Sequence, residues 1–162
     1  MSPLTKTLAA AAVLAFSPPL HAQGLLTEKN LSLEMALTIA QTALQKCESL
    51  GFKVAAAVVD RAGLTLVMLR GDGAGLHTPE GAERKAYTAR TYRSPSANFA
   101  KRVTTEPSYA PAVHYQRVLA LAGGLPIKVG NDVVGAIGIS GSPGQDDVCA
   151  QAGIDKVADA LK

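Results

Sequence analysis

Two pairs of short apolar runs, each split by a glycine-bearing turn, constrain this chain more than any other feature. Lys53 to Val59 and Leu64 to Leu69 flank Asp60-Arg61-Ala62-Gly63, and Leu125 to Val129 and Val133 to Ile139 flank Gly130-Asn131-Asp132. Short runs rich in β-branched residues and bounded by turn residues read as strands, and a glycine-bearing turn between two of them reads as a hairpin. Gly63 supplies the positive φ of a tight or bulged turn, and Asp60 is expected to cap it. The first run is too apolar for an alternating, half-exposed strand. Gly135 and Gly138 inside the last run leave room for a helix or a ligand to approach closely.

Helical periodicity surrounds these hairpins. Ser32 to Leu50 places Leu33, Ala36, Leu37, Ala40, Leu44 and Cys47 on one face, with Ser32 as N-cap and Gly51 as the left-handed C-terminal residue. The glycine-rich stretch Gly71 to Gly75 runs into a helix that starts near Pro79 and reaches about Thr91. A further helix is expected over Ser96 to Thr104, with Phe99, Ala100 and Val103 inward. The last runs from Asp146 to Leu161 with Val148, Ala152, Ile154, Val157, Ala158 and Leu161 inward. The element order is α-β-β-α-α-β-β-α.

Residues 1–22 have Lys6, an apolar run from Leu8 to Phe16, then Pro18, Pro19 and the small residue Ala22. This is the outline of a secretory signal peptide, with cleavage before Gln23, and the run is too short for a bilayer-spanning helix of roughly 20 residues. The expected product is a periplasmic or secreted chain with no integral membrane segment. Its loss of Lys6 leaves 15 basic against 13 acidic residues, a net charge of +2. Near-neutral charge, no Trp and few aromatic residues argue against nucleic-acid binding. In an oxidising compartment Cys47 and Cys149 either pair or remain two separate buried thiols.

Several residues can carry chemistry. Glu80 and Glu83 stand about one helical turn apart and offer oxygen ligands for iron or another hard cation, with His77 close enough in sequence to join them; the same spacing also suits a solvated helix face. His114, with Tyr109 and Tyr115, lies by a proline-bounded loop where a flat apolar ligand such as haem can be gripped, walled by Val113, Val118, Leu119 and Leu121. Arg84 and Lys85 can meet the propionates of that ligand, or form an ordinary charged face. No nucleophile elbow, P-loop, dinucleotide fingerprint or CxxC motif is present.

Four segments in order, DRAG at Asp60 to Gly63, AERKAYTA at Ala82 to Ala89, LAGGLPI at Leu121 to Ile127 and GAIGISG at Gly135 to Gly141, make the chain resemble the GlcG/HbpS-like haem-binding proteins. The resemblance covers about residues 31–161, so the chain divides into a signal peptide, a tail over 23–30 and one domain over 31–162. It implies an α/β (α+β), profilin-like domain with an antiparallel sheet of four to five strands flanked by helices, assembly into homo-oligomers, and binding of haem or free iron. It also implies a role for Glu80 and Glu83 in iron binding. Some haem-binding relatives carry a hydroxyl ligand before the LAGG segment; the matching position here is Val118, so either His114 or Tyr115 takes the axial role, His77 does so from another segment, or haem is not the ligand. The resemblance leaves two other functions open: a small enzyme or accessory protein of organic-acid or aromatic catabolism, and a non-catalytic sensor or partner-binding module.

Overall fold

Both expected hairpins form, and they join through their inner strands. In the computed structural model, which describes residues 24–162, β1 (Ala55–Val59) pairs with β2 (Thr65–Arg70) and β3 (Gly124–Val129) with β4 (Asp132–Ser140). β1 and β4 are also antiparallel, giving one four-stranded sheet in the order β2-β1-β4-β3. The expected export signal lies outside the described residues. The helices are α1 (Leu33–Ser49), α2 (Thr78–Tyr92), α3 (Ser96–Thr105) and α4 (Asp146–Lys156), with short 3-10 turns at Ala110–His114 and Ala158–Leu161. No described helix is long and apolar enough to cross a membrane. The domain is an α+β fold.

The local signals explain the element ends. The Met35 amide donates to Ser32 Oγ, capping α1, and Gly51 takes φ +85° beyond its other end. In the first hairpin the Leu64 amide donates to Asp60 Oδ1 at 2.9 Å, and Gly63 adopts φ +77°. Arg61, also in that turn, bonds Asp132 in the second hairpin at 2.7 Å and Glu28 at 3.3 Å, tying the two turns to the chain before α1.

The two faces of the sheet are packed differently. α1 and α4 cover one face, where Ala56, Val58, Ile127, Ile137 and Ile139 meet Ile39, Ala40 and Cys47. α2 covers the other, where Ala55, Ala57, Val59 and Ala136 meet Ala82, Ala86 and Ala89. Such small residues bring helix and sheet backbones unusually close. At Gly138 a Cβ would collide with the Ala82 carbonyl, and at Gly124 with the Lys85 carbonyl. The glycines of the GAIGISG and LAGGLPI segments are therefore the helix seat.

Three packing expectations need correction. Leu33 is 57% exposed, because the buried stripe of α1 runs instead through Ala36, Ile39, Ala40, Ala43 and Cys47. α4 ends at Lys156 rather than Leu161, and Val148 and Ala158 are exposed. The inward positions of α4 are Cys149, Ala150 and Gly153. Gly153 faces the Ile39 carbonyl so closely that no Cβ fits, which sets the rotation of the helix and turns Val148 outward.

Candidate functional site

Lys85 organises the site. It lies on α2 among Ala82, Ala86 and Ala89, so the helix carries it into the interior, and only 4% of it is exposed. A buried ammonium must be paired and hydrogen-bonded. Its Nζ donates to Asp146 Oδ2 at 2.7 Å and to the Ile139 carbonyl at 3.0 Å. Asp146 opens α4, and its other oxygen accepts from the Ser142 amide at 2.9 Å and the Ser142 hydroxyl at 2.6 Å. Ser142 Oγ lies 3.1 Å from Cys47 Sγ, and Cys47 is bonded to Cys149 with Cα atoms 5.5 Å apart. A polar chain thus runs from Lys85 to the disulfide between α1 and α4.

Lys85 and Asp146 also border a half-open cleft of about 600 Å³, within the range that small ligands occupy. The start of α2 contributes His77 and Thr78, the end of β4 contributes Ser140, and the following turn contributes Gly141, Pro143 and Gly144. Leu121 and Ala122, before β3, supply apolar surface, and Lys53 also borders the cleft. Two hydroxyl braces hold this wall in place. Ser96 Oγ donates to the Leu121 carbonyl at 2.6 Å and accepts from the Gly124 amide at 2.9 Å, while Thr88 Oγ1 accepts from the Leu119 amide at 2.8 Å.

The sequence-predicted residues separate into three places. His77 is exposed, and it and Lys85 border the cleft. Glu80 and Glu83 lie on α2 outside the cleft lining, each with its own arginine: Arg84 Nη1 donates to Glu80 at 3.0 Å and Arg117 Nη2 to Glu83 at 3.1 Å. Arg84 also donates to the Val118 carbonyl at 2.8 Å, so it braces the loop rather than facing the cleft. Among the described residues no three His, Cys, Asp or Glu side chains group as a metal centre, so His77 does not complete a triad with Glu80 and Glu83. His77 and Glu83 are six positions apart, which places them about 120° from each other around the helix and turns them apart.

His114 and Tyr115 end the 3-10 turn at Ala110–His114, are exposed, and border none of the described cavities. Val118 is buried, and Val113 and Leu121 are exposed. The expected haem wall therefore does not close around His114. Tyr109 belongs to a separate cluster with Tyr92 and Phe99, under the Arg102 guanidinium.

Asp146, Ser140 and Lys53 were not legible as site residues. A signal existed for the first: a lysine in register with the alanines of a buried helix face requires an acidic partner, and Asp146 and Asp147 are the first acids after the last strand. Ser140 and Lys53 carry no comparable mark.

The folded region matches the model of the HbpS-like family, described as haem degrading protein HbpS-like, over residues 31–155. A Streptomyces reticuli HbpS variant, in which two glutamates three positions apart are replaced by aspartate, is 35% identical; the match covers 94% of this chain and 97% of that one with a TM-score of 0.77. Another structure of HbpS is 40% identical over 83% of this chain and 92% of that one, with a TM-score of 0.74. A complex of PduOC with haem is 26% identical over 78% of this chain and 94% of that one, with a TM-score of 0.70.

Proposed function

The chain belongs to the HbpS-like family of haem-degrading proteins, and on that premise we propose that it is an exported haem-binding protein whose ligand enters the cleft at the start of α2. The observation that carries this reading is the position of His77: an exposed imidazole bordering a 600 Å³ cleft with apolar surface from Leu121, Ala122 and Pro143. The residues fit the group. A neutral imidazole is a common haem ligand, the apolar wall suits the ring, and Lys53 and Lys85 offer positive charge to its carboxylates. A haem-bound relative of the same fold supports it. Bound haem would supply the redox and oxygen chemistry of its iron.

Titration of the mature protein with haemin tests this reading. Saturable binding with a shifted Soret band is expected, lost in His77→Ala and retained in His114→Ala and Tyr115→Phe. No binding above a control protein rejects the function. Loss in the His114 or Tyr115 variant alone moves the ligand to the 3-10 turn. N-terminal sequencing of the protein from the native periplasm tests export, and a native mass spectrum of the same sample tests the homo-oligomer that belongs to this reading.

A second ligand, free iron at Glu80 and Glu83, is favoured by the two carboxylates that stand about one turn apart on α2 and offer oxygen ligands to a hard cation. Glu80 is 72% exposed in its side chain and Glu83 37%, so exchanging their arginines for a cation costs little. Calorimetric iron titration is expected to show a site that disappears in Glu80→Gln/Glu83→Gln. Identical isotherms for the two proteins would eliminate it.

A further inference from the structure

The floor of the cleft holds hydrogen-bonding capacity that the protein itself leaves unused, including two donors, one on Ser140 and one on Lys85. Ser140 is only 7% exposed, yet its hydroxyl makes no hydrogen bond to any described residue while bordering the cleft. Lys85 Nζ carries three protons, and the described residues accept two of them. Of the two acids bordering the cleft, Asp146 has both oxygens engaged, by Lys85 and by Ser142, whereas Asp147 Oδ1 accepts from the Gly123 amide at 2.9 Å and its Oδ2 keeps no hydrogen bond among the described residues.

The backbone is shaped around this floor. A Cβ at Gly81 would lie 2.6 Å from Ser140 Oγ, so the missing side chain is what lets that hydroxyl stand between β4 and α2. Glycine weakens a helix interior, and here its position in α2 gives the hydroxyl its room. Beside the two donors the cleft turns apolar at Leu121, Ala122 and Pro143, with Lys53 adding a second positive charge.

A buried ammonium with one free N–H, bordering the same cleft as a hydroxyl that has no protein partner among the described residues, suits the two oxygens of a carboxylate. We infer that Lys85 and Ser140 form a carboxylate-binding site for an organic acid whose apolar part lies against Leu121, Ala122 and Pro143. Two sources present this chemistry: a haem propionate, or a free organic acid with an apolar body. The site shares its cleft with the haem reading above but does not require it.

The test uses the mature full-length protein and its Ser140→Ala variant, which removes one donor while leaving the Lys85–Asp146 pair intact. The probes are haemin, haemin dimethyl ester, benzoate and benzyl alcohol, with absorption titration for the porphyrins and NMR for the small molecules. A thermal melt first establishes that the variant folds. If the group is a propionate, haemin binds more tightly than its ester, and Ser140→Ala weakens haemin about tenfold while leaving the ester unchanged. If it is a free acid, benzoate binds, benzyl alcohol does not, and the variant weakens benzoate about tenfold. Benzoate binding without haemin binding would sustain this site and reject the haem function. Equal affinity for haemin and its ester, together with no benzoate binding, would overturn the carboxylate site and leave haem binding standing.

Discussion

Lys85 Nζ lies 2.7 Å from Asp146 Oδ2, and their side chains are 5% and 10% exposed. Every other ion pair among the described residues has both partners more than a fifth exposed. The pair joins α2 to the start of α4. Removing one partner of such a pair leaves an uncompensated buried charge, which costs about 3–5 kcal/mol. Lys85→Met is expected to lose that much stability in urea denaturation. The double variant Lys85→Met/Asp146→Asn should recover part of it, because the asparagine amide buries no charge and its oxygen can still accept from the Ser142 amide. Strictly additive losses would mean the two residues are not coupled.

The glycine seat gives a second prediction. Gly138→Ala places a methyl group into the Ala82 carbonyl, so α2 must lift from the sheet. Overpacking of this kind costs about 1–3 kcal/mol, and the rigid backbone on both sides points to the upper end. Gly144→Ala is the comparison: nothing lies within 4 Å, and only its left-handed φ of +77° opposes the change. A smaller fall in melting temperature is expected there. If Gly144→Ala is the more damaging, backbone strain rather than helix seating decides.

Most of the fold was legible because its signals are local. Ser32, Asp60, Gly51 and Gly63 each mark an element end through a bond or dihedral that needs no distant partner. Leu33 and Val148 were misplaced because α1 and α4 touch each other as well as the sheet. Their rotation is set by the disulfide and the Gly153 contact, which periodicity does not record. The site was legible only in part. Lys85 was visible as a candidate cation, but its burial depends on the glycines of β3 and β4, and its partner lies 61 residues away. Glu80 and Glu83 invited a joint reading, yet Glu80 pairs with Arg84 one turn along α2, while Glu83 pairs with Arg117 of the segment that folds over the helix and Arg84 also holds the Val118 carbonyl there.

The disulfide supplies a third prediction. Cys47 and Cys149 are separated by 102 residues and are both fully buried. A crosslink closing about 100 residues stabilises by up to ~4.7 kcal/mol in the chain-entropy model, with typical measured values of about 2–4. Cys47→Ala/Cys149→Ala is expected to fall in that typical range by urea denaturation. Burial also makes the bond inaccessible to reductant in the native state, so thiols should appear under dithiothreitol only as fast as the protein opens. Rapid reduction of the folded protein would show that the α1–α4 seam is open.

Tyr92 gives a prediction at alkaline pH. It stacks on Phe99 with centroids 4.5 Å apart and meets Tyr109 edge-on, and burial pushes its hydroxyl up from 10 to about 12. The folded state therefore favours the neutral phenol, while the unfolded state ionises first. The resulting stability is complete below about pH 10 and is lost as the pH rises towards 12. In an ultraviolet titration of the native protein, which has four tyrosines, one is expected to ionise late, near pH 12. Tyr92→Phe should abolish that late step and flatten the stability loss over the same range. A late step that survives the substitution would assign it to another tyrosine, and its absence from the native protein would mean that water reaches the Tyr92–Phe99–Tyr109 cluster freely.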